Sequence, residues 1–164
     1  MLVWIMSRSH ILDTPYSPFP MMHTSPPSGF APRFTIVGCC IDAGGKILIL
    51  KRALHKPQGG TWGLPAGKVD PTDKNSDQTC IREVFEETGI QLEPGILENP
   101  RKWYVVIGDL SFIWICYHVC FSTIPEVTLH DDEHTDFGWH TIPEMLKMDL
   151  IDDLDGTLIA LYKL

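Results

Sequence analysis

Three glutamates fall within nine residues, Arg82-Glu83-Val84-Phe85-Glu86-Glu87-Thr88-Gly89-Ile90, and no other stretch of this chain is better suited to chemistry. On a helix, Glu83, Glu86 and Glu87 stand at i, i+3 and i+4 and share one face. Carboxylates this close repel one another and raise each other's pKa unless a cation joins them. Hard divalent cations such as Mg²⁺ take oxygen ligands of this kind and commonly bridge to phosphates. Arg82 lies one turn before Glu86 and can pair with it. An acidic helix face is usually solvated surface, so the spacing alone leaves both readings open.

The flanking sequence supplies the elements that must position these side chains. Ser76 is the expected N-cap and Gly89 the expected C′ residue of a helix over 76–88. At about 100° per residue, Ile81, Val84, Phe85 and Thr88 share the face that packs on a sheet, with the glutamates roughly opposite. Upstream, RFTIVGCCI (33–41) and KILILKR (46–52) read as a hairpin about Asp42-Ala43-Gly44-Gly45, followed by a Gly- and Pro-rich segment at 53–68. Further strands fit RKWYVVI (101–107), FIWICYHVCFST (112–123) and HTDFGWHTI (134–142). The 112–123 run is apolar at nearly every position, so both its faces are expected to be buried. That calls for an α/β fold, a mixed β-sheet between helices, with further helices at 143–148 and 154–164. Residues 1–32 carry six prolines and few charges, which predicts a flexible N-terminal tail ahead of a domain at 33–164.

Composition narrows the classes of partner. A chain of 164 residues, 44% hydrophobic and 21% charged, suits one globular domain with a real core. The formal charge of −8 argues against broad nucleic-acid or anionic-membrane binding, though not against a small anionic ligand held by a metal and a few local cations. Five cysteines without a C-x-x-C pair read as reduced thiols in a cytoplasmic protein. The opening MLVWIM lacks a preceding positive charge and is too short for a signal peptide, and no apolar run is long enough to cross a bilayer.

Together, TWGLPAGK (61–68) and REVFEETGI (82–90) resemble the Nudix hydrolase family, whose signature is G-x5-E-x7-R-E-U-x-E-E-x-G-U with U a bulky aliphatic residue. Gly67 opens the motif and Arg82–Ile90 fills its second half without a mismatch. The first half departs: counted from Gly67, the early glutamate becomes Asp73, and eight residues instead of seven precede Arg82. The loop PTDKN (71–75) thus carries one extra residue, which puts its architecture in doubt more than metal binding; Asp70 or Asp73 is the candidate substitute. The resemblance implies a Nudix-like α/β/α sandwich and hydrolysis of a nucleoside diphosphate linked to another moiety: a nucleotide sugar, ADP-ribose, a dinucleotide or a nucleoside triphosphate. It implies that Glu83, Glu86 and Glu87, with the backbone carbonyl near Gly67, hold Mg²⁺ or Mn²⁺, and that Arg82 orients the glutamates. Many family members pair, which allows a homodimer.

A general base is expected on the motif helix or on the loop LHDDEHTDFGWH (129–140), where Glu133 and Asp132 are the candidates; the alternative is a merely polar loop. His130 and His134 in that loop imitate a zinc motif, but the glutamate does not follow the first histidine. Arg52 is a candidate phosphate ligand, Lys51 and Lys68 are weaker ones, and Trp62 is a candidate stacking residue. Each has an ordinary structural alternative, solvated charge or packing. Trp103, Tyr104 and Trp114 read as core or pocket wall, and His118 as a hydrogen-bonded core histidine. A Nudix domain that senses a nucleotide without turning it over is the alternative function; the intact glutamates argue against it. Isoprenyl diphosphate isomerisation would need a catalytic cysteine, and Cys39, Cys40 and Cys80 read as structural.

Overall fold

The computed structural model describes residues 21–129 and 132–163. Its strands are β1 (Met21–His23), β2 (Thr35–Ala43), β3 (Lys46–Arg52), β4 (Trp62–Gly63), β5 (Ala66–Lys68), β6 (Arg101–Ile107), β7 (Leu110–Phe121) and β8 (His134–His140). The helices are α1 (Ser76–Thr88), α2 (Ile142–Met145) and α3 (Leu154–Tyr162). The sheet runs β1-β6-β7-β2-β3-β4, with β5 added to β2 and β8 to β3. It is mixed: β2 pairs with β7 in parallel from Thr35–Ile113 to Ala43–Phe121, while the other pairings between strands are antiparallel.

Strand alternation divides the apolar side chains between two cores. On one face Val37, Cys39 and Ile41 of β2 and Leu48 and Leu50 of β3 pack with Cys80 and Val84 of α1. On the other, Cys40, Ile47 and Ile49 pack with Met145 of α2 and Leu154 and Leu158 of α3. Burying a side chain of this size stabilises by about 1.5–3 kcal/mol, so both layers contribute substantially. This is the expected α/β/α sandwich. Because both faces are apolar, hydrophobic alternation alone sets strand register only weakly. The turn between Ala43 and Lys46 sets it instead: Gly44 and Gly45 have φ of 63° and 78°, the geometry of a two-residue hairpin turn.

That hairpin is shorter than the sequence suggests. β2 and β3 pair only at Asp42–Ile47 and Ala43–Lys46, after which they separate. The N-terminal half of β2 takes β5 (Ile36–Lys68, Val37–Gly67, Gly38–Ala66), while β3 takes β8 and β4. Segment 53–61 leaves from the end of β3 at this fork, and β5 hands the chain to α1.

The tail expected at 1–32 needs a correction within the described residues. MMHTS (21–25) holds no proline, and Met21–His23 pairs with Val106–Tyr104 as an edge strand between Pro20 and Pro26. Met22 also packs against the α3-side core. Residues 1–20, including MLVWIM, lie outside the described residues, as do His130 and Asp131 of the zinc-like motif.

Candidate active site

Helix α1 is fixed at both ends. Asn75, not Ser76, is its N-cap, with its side chain accepting from Gln78 N at 3.0 Å. Ser76 serves differently: its Oγ lies 2.7 Å from the Tyr117 hydroxyl, which itself donates to Asp77. The first turn is thereby docked onto β7. Gly89 closes the helix in the left-handed conformation, its N–H bonded to Phe85 O. Val84 and Thr88 are buried as expected, but Phe85 is 50% exposed, because Cys80 and Glu87 occupy the inward positions instead.

The glutamates sit in three environments. Glu87 is almost fully buried, and its Oε2 accepts from Ala66 N at 3.0 Å. Its Oε1 lies 3.9 Å from Nδ1 of His134, another buried residue. Glu83 is mostly buried against β5, and a Cβ built on Gly67 would stand 2.0 Å from its carboxyl carbon. Glycine at 67 is therefore a steric requirement of the Glu83 position. Burial pushes the Glu83 carboxyl up, against the opposing pull of Arg82. Glu86 is the exposed member.

Arg82 gathers the cluster. Its Nη1 donates to Glu83 Oε1 at 2.6 Å and to Glu86 Oε2 at 3.0 Å. Nη2 donates to Asp73 Oδ2 at 2.8 Å and to Lys68 O at 3.1 Å, and Nε reaches Asp73 Oδ1 at 3.2 Å. Asp73 thus grips the Nε–Nη2 edge of the guanidinium with both its oxygens, the fork geometry that arginine favours. It also accepts from Thr79 Oγ1 and Asp70 N. The Arg82 hydrogen bonds hold its carboxyl well below the usual carboxylate range. Asp70 instead accepts from Thr72 within the loop. The extra loop residue and the shorter acid therefore still deliver a carboxylate to Arg82.

These carboxylates suit a hard divalent cation by chemistry. They are oxygen donors, and Glu83 and Glu86 already converge on one cationic nitrogen, Nη1 of Arg82. Among the described residues, no three His, Cys, Asp or Glu side chains stand together at metal-binding distance. Arg82 spans two of the glutamates, and the third is turned to Ala66.

The other sequence candidates fall in two places. Glu133 meets Lys56, whose Nζ donates to Oε1 at 2.6 Å, and that bond lowers the Glu133 carboxyl. Arg52 is near both, its Nε donating to Pro57 O at 2.9 Å. Lys68 turns away: Gly67 faces Glu83, so its neighbour projects to the other face of the sheet, where Nζ lies 4.3 Å from the centre of the Phe34 ring. Only its carbonyl joins the Arg82 cluster. Trp62 packs against the α3-side core, edge-on to His140. Trp103 is buried in that core, and Trp114 packs against it with Nε1 donating to Thr157. His118 Nε2 lies 3.0 Å from the Tyr162 hydroxyl.

Lys56, His134 and the Ala66 N–H were missed in the sequence. Nothing in its immediate neighbours marks Lys56, and His134 stood out only as half of a zinc-like pair.

With this geometry in view, the likeness to known proteins is specific. The NUDIX domain model matches residues 31–161. The CTP pyrophosphohydrolase of Escherichia coli K12 is 38% identical over 117 residues, covering 70% of this chain and 81% of that protein. Phosphatase NudJ of Shigella boydii is 26% identical over 118 residues, covering 72% and 74%. Among solved structures, the MutT protein of Methanosarcina mazei Go1 superposes with a TM-score of 0.62 at 27% identity, over 73% of this chain and 86% of that one. The chain belongs to the Nudix family and is one of its pyrophosphohydrolases. Among the described residues, no helix is long and apolar enough to cross a membrane.

Proposed function

We propose that residues 33–164 form a divalent-cation-dependent hydrolase that cleaves the diphosphate linkage of a nucleotide. The observation that carries this is the Arg82 cluster: one guanidinium holds Glu83 and Glu86 together beside Gly67, with Asp73 clamping it from behind. Glu83, Glu86, Glu87 and the Gly67 carbonyl would hold Mg²⁺ or Mn²⁺. When bound, the ion neutralises the diphosphate and orients a water for in-line attack.

The chain's own residues supply position and charge, which is most of what phosphoryl chemistry requires. Arg82 fixes the glutamate rotamers and leaves the substrate untouched. Ala66 N–H holds one oxygen of Glu87, so this ligand needs little reorganisation. Glu133 takes the proton from the attacking water, and Arg52, in the same neighbourhood, contacts the phosphates. Lys68 and Trp62 face the other core and receive no direct role.

Nucleoside triphosphates come first as substrates, because the relative named for CTP is 38% identical. Nucleotide sugars, ADP-ribose and dinucleotides follow. The test is Mg²⁺-dependent hydrolysis across these four groups with chromatographic identification of products. Nucleoside monophosphate release from at least one group supports the assignment. Ligand-dependent thermal stabilisation without hydrolysis of any would replace it with nucleotide sensing.

A further inference from the structure

His134 faces α1 because β8 is irregular. Trp139 pairs with Leu48 and packs with the α1-side core, so strict alternation would put the odd positions of β8 on that face and His134 on the opposite one. One extra residue breaks the alternation: Asp136 pairs with Lys51, but His134 pairs with Arg52, with Thr135 between them. This bulge leaves Thr135 exposed and turns the His134 side chain inward, where 3% of it is exposed. Bulges disrupt the ladder locally, and beside functional sites they commonly re-aim a side chain. Ala53 N donates to Glu133 O at 2.7 Å, which fixes the backbone just ahead of the bulge.

What His134 meets is Glu87. Its Nδ1 lies 3.9 Å from Oε1, while Oε2 accepts from Ala66 N at 3.0 Å. The carboxylate is thus bracketed by β5 on one side and β8 on the other. Both side chains are 3% exposed, so solvent screens this contact far less than it would a surface pair. A buried carboxylate is costly without polar neighbours, and here they come from two strands that the bulge brings into register.

We propose that His134 is a positioning residue for Glu87: it holds the Oε1 side of the carboxylate in the direction a divalent cation requires, and does not itself touch cation or substrate. This rests on Glu87 being a ligand of that cation. The bulge at Thr135 belongs to the same device, since it sets the face on which the imidazole lies.

The experiment uses Mn²⁺ alone, without nucleotide, with free Mn²⁺ read by electron paramagnetic resonance and thermal melts confirming that each variant folds. His134→Phe keeps a planar ring and removes both nitrogens. It is expected to weaken Mn²⁺ binding about tenfold or more, the usual cost of losing a partner that orients a metal ligand. In the Glu87→Gln background the same change is expected to cost little further, because its effect runs through that carboxylate. Unchanged Mn²⁺ affinity in folded His134→Phe, or losses that multiply in the double variant, would overturn the inference. If Glu87→Gln weakens binding while His134→Phe does not, only the role of His134 falls. If Glu87→Gln leaves Mn²⁺ affinity intact, the assignment of Glu87 as a ligand falls and the positioning role falls with it. Should His134→Phe fail to fold, the native protein decides, by Mg²⁺ titration followed in the NMR signals of the His134 ring. These are expected to shift with the same midpoint as the amides of α1; ring signals that stay in place while those amides move would overturn the proposal.

Discussion

The Glu83 carboxylate fills the space that a side chain at residue 67 would need: a Cβ there would lie 2.1 Å from Oε2 and 2.2 Å from Oε1. Gly67 and Glu83 come from different elements, β5 and α1, so the absence of one side chain positions another. Gly67→Ala is expected to displace the carboxylate by about 1 Å, a misplacement that can cost about 10²-fold in rate. The fold should persist, since the obstructing atoms are the end of a side chain. Steady-state kinetics beside circular dichroism checks this; a near-normal rate would show that Glu83 need not sit there.

Asp73 and Arg82 give a signature in acid. The folded Asp73 carboxyl titrates below its ordinary value of 3.8 because Arg82 stabilises the charged form. Its contribution to stability is therefore complete above that value and is lost as pH falls through and below it. Asp73→Asn is expected to lower Tm at pH 6, with a deficit that narrows as pH falls from about 4 towards 2 and closes only in stronger acid. Melts across that range test it, and an equal deficit at every pH would mean the loss is packing, not charge. Activity of the same variant at neutral pH is expected to fall about 10–100-fold, the usual cost of removing a residue that orients metal ligands.

The five cysteines are free, and only Cys120 is exposed. Burial raises the Cys40 thiol to about 12 and pushes Cys116 up as well. Reaction with a thiol reagent at pH 8 is expected to modify Cys120 in the native protein and all five only in denaturant. Mass mapping of the labelled sites reads this directly. Fast labelling of Cys39 or Cys80, which pack between β2 and α1, would show that α1 lifts from the sheet.

What the sequence disclosed was what short spacing encodes. REVFEETGI fixed the helix and its end, and the turn glycines fixed the first hairpin. The N-cap shifted from Ser76 to Asn75 because Ser76 bonds Tyr117, a residue 41 positions away that local pattern cannot reveal. Helical period alone places Phe85 inward, whereas the sheet selects Cys80, Val84 and Thr88. The prolines of 21–32 predict a loose tail, yet they bound a short edge strand without preventing it. The substitution of Asp73 for the family's glutamate was visible only as a count of residues; its bidentate grip on Arg82 required coordinates. Lys56 and Glu133, 77 positions apart, were the least legible pair of all.

The central claim is that the glutamates of α1 bind the cation that drives hydrolysis. The most direct measurement is rate against Mg²⁺ concentration for the native protein, Glu86→Gln and Glu87→Gln on the best panel nucleotide. Each substitution removes one anionic oxygen ligand while preserving size. Both are expected to weaken apparent Mg²⁺ affinity and to lower the saturated rate by about 10²-fold or more. Folded variants with unchanged Mg²⁺ dependence and rate would contradict the assignment of this helix as the metal site.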